Sequence, residues 1–231
     1  MAYTLLLQAS AGSDNQLQGV KSTPIWDIIQ DSNAGIGWLI NLLLVLMFGY
    51  VIFVFVERFL ALRKASREDT TFLSKVKDYL NSGQIDEAKR LCEASASPSA
   101  RMLEKGISRI GKPIESISAS IENTGKLEIL RLEQRLSFLG TASGAAPMLG
   151  FLGTVIGMVV VFIDLTNASN LELKIIAPGI MTAMITTVGG LIVGITAFMG
   201  YNYLVARIGK VVYQMENAAL EFMDLLNQPG K

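Results

Sequence analysis

The sequence has no histidine and a single cysteine, Cys92. Without histidine the chain can build neither a zinc site with imidazole ligands nor a catalytic triad that uses a histidine base. A lone cysteine cannot form an intrachain disulfide, so we expect Cys92 to be a small buried helix residue in a reducing compartment. The net charge is zero, which gives no reason to expect nucleic acid as a partner. We predict no enzymatic activity, no cofactor and no bound metal.

Charge is also missing from three long stretches, residues 32–56, 136–163 and 175–206. A helix needs roughly 20 apolar residues to cross the hydrocarbon of a bilayer, and each stretch is longer than that. All charged residues fall in the remaining chain, at a density ordinary for soluble protein. The sequence therefore predicts an all-α integral membrane protein with three transmembrane helices, at 36–56, 136–163 and 175–206.

The segment before the first span, residues 1–35, is a poor secretory signal because no lysine or arginine precedes its short apolar piece. We therefore expect it to stay attached. Ser22 and Pro24 are typical of a helix start. The alternation that follows predicts a short amphipathic helix at the membrane surface, with Trp26 at headgroup level.

The charged segment 57–135 predicts a helical domain, with long helices prolonging the spans into the cytoplasm. Apolar spacing and turn residues indicate three short helices, over 72–80, 85–94 and 98–111. Apart from Gly125, neither glycine nor proline occurs from Ile114 until Gly140, so we predict one helix that runs straight into span two. A polar link at 164–174 and a mostly helical tail at 207–231 complete the chain.

Lysines and arginines near the span ends predict the orientation. Nine lie beside the middle segment and the tail, against two on the other side, Lys21 and Lys174. Basic residues favour the cytoplasmic side, so the amino terminus and residues 164–174 are predicted outside and the carboxyl terminus inside. The candidates for contact with lipid headgroups on the inner side are Arg58, Arg63, Lys64, Arg67, Arg131 and Arg135.

Spans two and three are rich in small residues, whereas span one is bulky. Small residues at helical spacing let backbones approach closely in lipid. The plainest interpretation is helix packing within one subunit, and contact with a partner helix is the alternative. The residues concerned are Pro147, Gly150, Gly153, Gly157, Pro178, Gly179, Gly190 and Gly194.

Hydroxyl groups cluster at membrane depth on the same two spans. A single threonine in a helix most often hydrogen-bonds to a carbonyl of its own helix. A cluster on the two helices with the smallest side chains suggests instead a wettable wall, enclosed when several subunits form a ring. The predicted lining residues are Thr154, Thr182, Thr186 and Thr187.

No ionisable side chain other than tyrosine lies inside any of the three spans. A proton relay through hydrocarbon needs a group that binds and releases the proton, and intramembrane acids are the usual carriers. If the chain handles protons, a partner must therefore supply the carboxylate.

The run from Ala146 to Met158, APMLGFLGTVIGM, resembles the second-span signature of the ExbB/TolQ branch of the MotA/TolQ/ExbB proton-channel family. Ala177–Ile180, followed by Thr186-Thr187 and Gly190-Leu191, is similar to the third-span signature. The order of three spans around a large cytoplasmic segment also matches, over about residues 24–225.

The resemblance implies a pentameric ring in the bacterial inner membrane around the single spans of an ExbD/TolR-like partner, whose aspartate carries the proton. Proton flow would drive a TonB/TolA-like protein. Thr154 and Thr187 match the family threonines thought to line the proton path. Thr182 stands where many relatives have a glutamate, which increases the dependence on the partner's acid.

Three alternatives remain at this point. A passive scaffold that assembles partner proteins would suit the packing glycines. A secondary transporter fits poorly, because there is no inverted repeat and no embedded charge. An enzyme fits worst, because the glycines of span two lack the spacing of a phosphate loop. The charged cluster Glu128, Arg131, Glu133 and Arg135 is expected on a solvated helix face that contacts another subunit. A role in the cytoplasmic proton exit is the alternative.

Overall fold

The computed structural model describes residues 36–65, 70–167 and 173–227. All the regular structure in these ranges is helical, which confirms the all-α class. The helices are α1 Ile36–Ala65, α2 Thr70–Asn81, α3 Ile85–Ala94, α4 Pro98–Ile107, α5 Ile114–Glu133, α6 Leu136–Asn167 and α7 Leu173–Asn227. The predicted surface helix before residue 36, the middle of the 164–174 link and Arg67 lie outside the described residues.

Three stretches of the described chain are long and apolar enough to cross a membrane, and each overlaps one of the predicted spans. They are Trp38–Ala65, Ile114–Thr166 and Gly179–Asn227. The helices continue beyond the uncharged runs. Helix α1, for example, extends past the predicted end of span one at Val56 to Ala65. The predicted tail is not a separate helix, since α7 continues through it for 55 residues in all. At 1.5 Å per residue α7 is about 80 Å long, so much of it must lie outside the hydrocarbon.

The predicted unbroken helix from Ile114 into span two is wrong. Helix α5 ends at Glu133, and α6 begins at Leu136. Between them Arg135 adopts a left-handed backbone, with φ 65°. This conformation costs an L-residue about 1–2 kcal/mol. The Arg135 guanidinium, 2.5 Å from the Glu57 carboxylate, helps to offset that cost.

The predicted short helices of the middle segment are confirmed in place and order. Gly83 closes the turn after α2 with φ 72°. The Ser97 hydroxyl accepts a hydrogen bond from the Ala100 amide at 3.1 Å and so caps α4. Pro98 occupies the first turn of that helix, where its missing amide costs nothing. Helix α4 ends at Ile107, and turns lead from it to Gly111.

The described residues belong to two compact units. The first includes residues 149–189 and the second residues 44–148 with 190–231. In the second unit, helices α2 to α5 and the last part of α7 enclose an apolar core around Leu103 and Phe222, which are 0% and 1% exposed. Glycine is needed at position 106 for this close packing, because a Cβ there would lie 2.8 Å from the Ile121 side chain and 2.9 Å from the Phe222 ring.

A second apolar cluster in this unit joins α1, α6 and α7. Val54 and Leu62 of α1 pack with Leu139 of α6 and Leu204 of α7. Gly200 allows α7 to approach α1 here, since a Cβ would lie 3.0 Å from the Phe55 ring. These contacts fix the three long helices against one another next to the helical domain.

Candidate functional site

In the first unit, α6 and α7 meet through small residues. A Cβ on Gly153 would overlap the Thr186 side chain, with its Cβ only 2.7 Å away. A Cβ on Gly157 would lie 2.7 Å from the Cβ of Ala183. One turn further, a Cβ on Gly179 would overlap Val161. The predicted close approach of these two helices is thus an observed contact within one chain.

Two threonine hydroxyls of α7 point at one carbonyl of α6. The Thr187 hydroxyl donates to the Gly150 carbonyl at 3.0 Å. The Thr186 hydroxyl lies 3.3 Å from the same oxygen and 2.7 Å from the Ala183 carbonyl of its own helix. Because a hydroxyl has one proton, Thr186 can donate to only one of these carbonyls at a time. The Gly150 carbonyl is therefore a polar junction between the two helices.

Thr154 sits one helical turn after Gly150 on the same face of α6. Its hydroxyl donates to the Phe151 carbonyl of its own helix at 2.6 Å. Thr154, Thr187 and Thr182 are half-buried in the single chain, whereas Thr186 is only 1% exposed. Three of the four predicted lining threonines therefore keep exposed surface, and Thr186 is enclosed against Gly153.

The Gly150 carbonyl is the feature that the sequence did not reveal. The sequence predicts close helix packing at Gly150 because glycine lacks a side chain, but the structure shows that its carbonyl oxygen accepts the hydrogen bond. Every residue has a backbone carbonyl, so the residue type could not indicate which one accepts.

In the second unit, the interior proline of α6 creates another close contact. Pro147 has no amide, so it cannot hydrogen-bond to the carbonyl of Ser143 one turn earlier. A Cβ on Gly194 would lie 2.6 Å from the Pro147 ring and 3.2 Å from that carbonyl. Gly194 thus brings α7 directly onto the interrupted turn. Gly190 is buried, and Pro178 lies within α7, where its side chain is outside the described residues.

The basic residues next to the spans differ in exposure. Arg63 and Lys64 are exposed in the last turn of α1, where positive charge is favourable. Arg58 lies instead in a buried setting, 8% exposed. Its guanidinium donates to the Arg131 carbonyl near the end of α5 at 3.3 Å. This end of the helix carries partial negative charge, so Arg58 stabilises it inside the chain.

The expectation of a fully solvated charged cluster on α5 is wrong for Glu128, which is 2% exposed. Its carboxylate lies 2.5 Å from Arg101 and 2.6 Å from Arg131. A buried carboxylate needs such partners, because removing it from water is costly. Arg101 was not predicted, since it lies on another helix and only the fold brings it to Glu128.

Comparison with known proteins identifies this arrangement. A profile of the MotA/TolQ/ExbB proton channel family matches residues 94–217, more than half of the chain. The chain belongs to this family. The matched residues include the Gly150 junction, the Pro147 contact and the Glu128 cluster. Together with three candidate spans, membership makes the chain a multi-pass membrane protein.

Curated relatives agree with the family. The Tol-Pal system protein TolQ of Haemophilus influenzae is 38% identical over 101 residues, which cover 44% of each chain. A putative ExbB-like protein of Helicobacter pylori is 42% identical over 82 residues, 36% of this chain and 54% of the relative. The biopolymer transport protein ExbB of Salmonella typhimurium is 29% identical over 157 residues, 61% and 64% of the two chains. The chain spans about half the length of the first two relatives.

Proposed function

We propose that this chain is the ring-forming subunit of a proton-driven motor in the bacterial inner membrane. Its partner is an ExbD/TolR-like protein with one span and an aspartate that carries the proton. The motor uses the proton motive force to energise a TonB/TolA-like protein for outer-membrane transport or envelope maintenance. Membership of the proton channel family and the names of the relatives support this role.

The observation that carries the proposal is a polar junction without any acid of its own. Thr186 and Thr187 meet the Gly150 carbonyl, and Thr154 lies one turn away. The uncharged spans contain no carboxylate that could bind a proton beside these groups. Hydroxyls and a carbonyl can hydrate or position a proton carrier, but an acid must come from elsewhere.

The ring is proposed as a pentamer, with the amino terminus in the periplasm and the carboxyl terminus in the cytoplasm. Large apolar side chains of α6 and α7 are exposed in the single chain, including Phe151 at 66% and Phe198 at 59%. Neighbouring subunits and lipid would cover such surface. One charge that crosses 100 mV releases about 2.3 kcal/mol, enough to bias a step between nearly equivalent states of a symmetric ring.

The test is proton flux into proteoliposomes that contain the chain and its partner. Thr154→Val and Thr187→Val should each lower the proton flux at least about tenfold, because each substitution removes a hydroxyl and leaves the side-chain volume nearly unchanged. Thr141→Val is the matched control, because Thr141 is an exposed α6 threonine that donates to the Ser137 carbonyl. The chain without its partner should be proton-tight. Flux through the chain alone would refute the two-component mechanism.

A non-conducting scaffold that assembles partner proteins is the second candidate. The Thr154 hydroxyl is satisfied by its own helix, as a purely structural threonine would be. If the chain is a scaffold, the complex conducts no protons, and both valine variants assemble with their partners as the unchanged chain does. Subunit mass measured on the same samples shows whether assembly is intact.

A further inference from the structure

A groove runs between α5 and the last part of α7 within the second unit. It contains a cavity of about 610 Å³ and an adjoining one of about 540 Å³. The two cavities share Ser118, Glu122 and Met223 as lining residues, so they form one continuous depression. None of the polar groups of the membrane junction takes part in it.

The floor of the groove is apolar and rich in methionine. Met102, Met215 and Met223 line it together with Ile121 and Ile129. Methionine side chains are flexible and polarisable, so they adapt to different apolar partners.

Glycine keeps the floor deep in the middle of α5. Gly125 lies there, and a Cβ at this position would come within 3.2 Å of the Met102 sulfur. Any larger residue would fill the depression from below.

The rim of the groove is acidic. Glu122 and Glu216 line the first cavity, and Glu115 and Asp224 line the second. Lys126 is the one basic lining residue in the described part of the chain, and its ammonium is 2.7 Å from the Glu122 carboxylate. The lining residues therefore carry a net negative charge that would complement a cationic occupant.

The length of the groove suits a short helix. It extends along α5 from Ile114 to Ile129 and along α7 from Val212 to Asn227. At 1.5 Å per residue either edge is about 22 Å long, the length of a helix of about 15 residues. An apolar floor between charged edges is the surface on which an amphipathic helix docks.

We propose that this groove binds a basic amphipathic helix, the cytoplasmic segment of the single-span partner. The inference rests on the proposed function for the existence of that partner. Single-span proteins concentrate their lysines and arginines in the segment on the cytoplasmic side. Its apolar face packs on the methionines and its basic face meets the acidic rim. The contact holds the partner's cytoplasmic end against one subunit.

The test uses the full chain in phosphatidylcholine nanodiscs and a fluorescent synthetic helix of leucine and lysine, about 15 residues long. Anisotropy should show saturable binding above that to empty nanodiscs, and a leucine–glutamate helix of equal length should not bind. The double variant Glu122→Lys with Asp224→Lys should weaken binding at least about tenfold. Glu87→Lys with Glu93→Lys makes the same charge change on exposed α3 residues and should leave binding unchanged.

A second pair of variants tests shape rather than charge. Ala219→Trp fills the first cavity and should abolish binding, whereas Asn123→Trp places the same ring on an exposed α5 position outside the lining. Equal binding by groove and control variants would overturn the proposal. A change of subunit number in the groove variants, measured by native mass spectrometry, would also overturn it, because the groove would then be an interface between copies.

The outcomes separate this proposal from the motor itself. Peptide binding needs no proton flux, so a chain that binds the helix but never conducts with any partner contradicts the motor alone. A chain that conducts normally while its groove fails to bind the basic helix contradicts the groove alone.

Discussion

The contact of α6 with α7 in the first unit and the helical domain in the second unit are stabilised by opposite kinds of residue. In the first unit α6 and α7 meet through Gly153, Gly157 and Ala183, and backbone lies close to backbone. In the second unit the helical domain is built around bulky side chains such as Leu103 and Phe222. The difference follows from the solvent. Burial of apolar area drives helices together in water, but lipid is as apolar as leucine, so close packing and hydrogen bonds must serve there.

The largest effect is expected from a change in the bulky core. Phe222→Ala should lower the free energy of unfolding by about 3–5 kcal/mol, because it removes a fully buried ring and leaves a cavity. Chemical unfolding of the purified chain in detergent measures this loss. Leu220→Ala, at a position 65% exposed on the same helix, should change stability by less than about 0.5 kcal/mol. Similar losses in both variants would show that this core does not carry the stability of the domain.

The small-residue contact should respond to the opposite kind of change, an added methyl group. Gly153→Ala should destabilise by about 1–3 kcal/mol, because the new Cβ overlaps Thr186. At Gly144 no described atom lies within 4 Å of an added Cβ. Gly144→Ala should therefore stabilise the helix by about 0.5–1 kcal/mol, since alanine is the better helix former. Thermal unfolding of both variants gives the sign, and a stabilised Gly153→Ala would contradict the tight contact.

The buried ion cluster should matter more than an exposed pair of the same chemistry. Glu128→Gln should cost about 1–2 kcal/mol, because a neutral amide leaves Arg101 and Arg131 without their shared charge. Glu122→Gln breaks the exposed pair with Lys126 on the same helix and should leave the stability nearly unchanged. The loss for Glu128→Gln should persist in high salt, which screens only the exposed pair. Equal stability losses for the two variants would contradict the burial of Glu128.

The smallest effect concerns Cys92, whose thiol is buried in the helical domain. Burial raises its pKa from 9.0 to about 12, with further contributions from Glu104 and Glu93. The unfolded thiol therefore ionises before the folded one, so folding stability is intact below about pH 9 and falls as the pH rises towards 12. At pH 8 a maleimide should label Cys92 only after denaturation, as mass spectrometry would detect. Rapid labelling of the folded chain would contradict its burial.

Local patterns in the sequence were enough to predict the spans and the short helices. Membrane-length runs without charge, and turn residues such as Gly83 and Pro113, are local signals that depend on solvent and backbone geometry alone. The glycines also indicated where helices approach closely, because their spacing repeats with the helical turn.

Which groups meet depends on how the helices pack against one another. No proline or glycine marks the helix break at Arg135 in the sequence. In the structure, Arg135 pairs there with Glu57 of α1. The burial of Glu128 requires Arg101 from another helix, and the hydroxyls of α7 find a backbone oxygen at Gly150. Such pairings join residues far apart in the chain, and their energies arise only once the helices are packed. The periodicity of a sequence describes one helix at a time, so it cannot predict these pairings between helices.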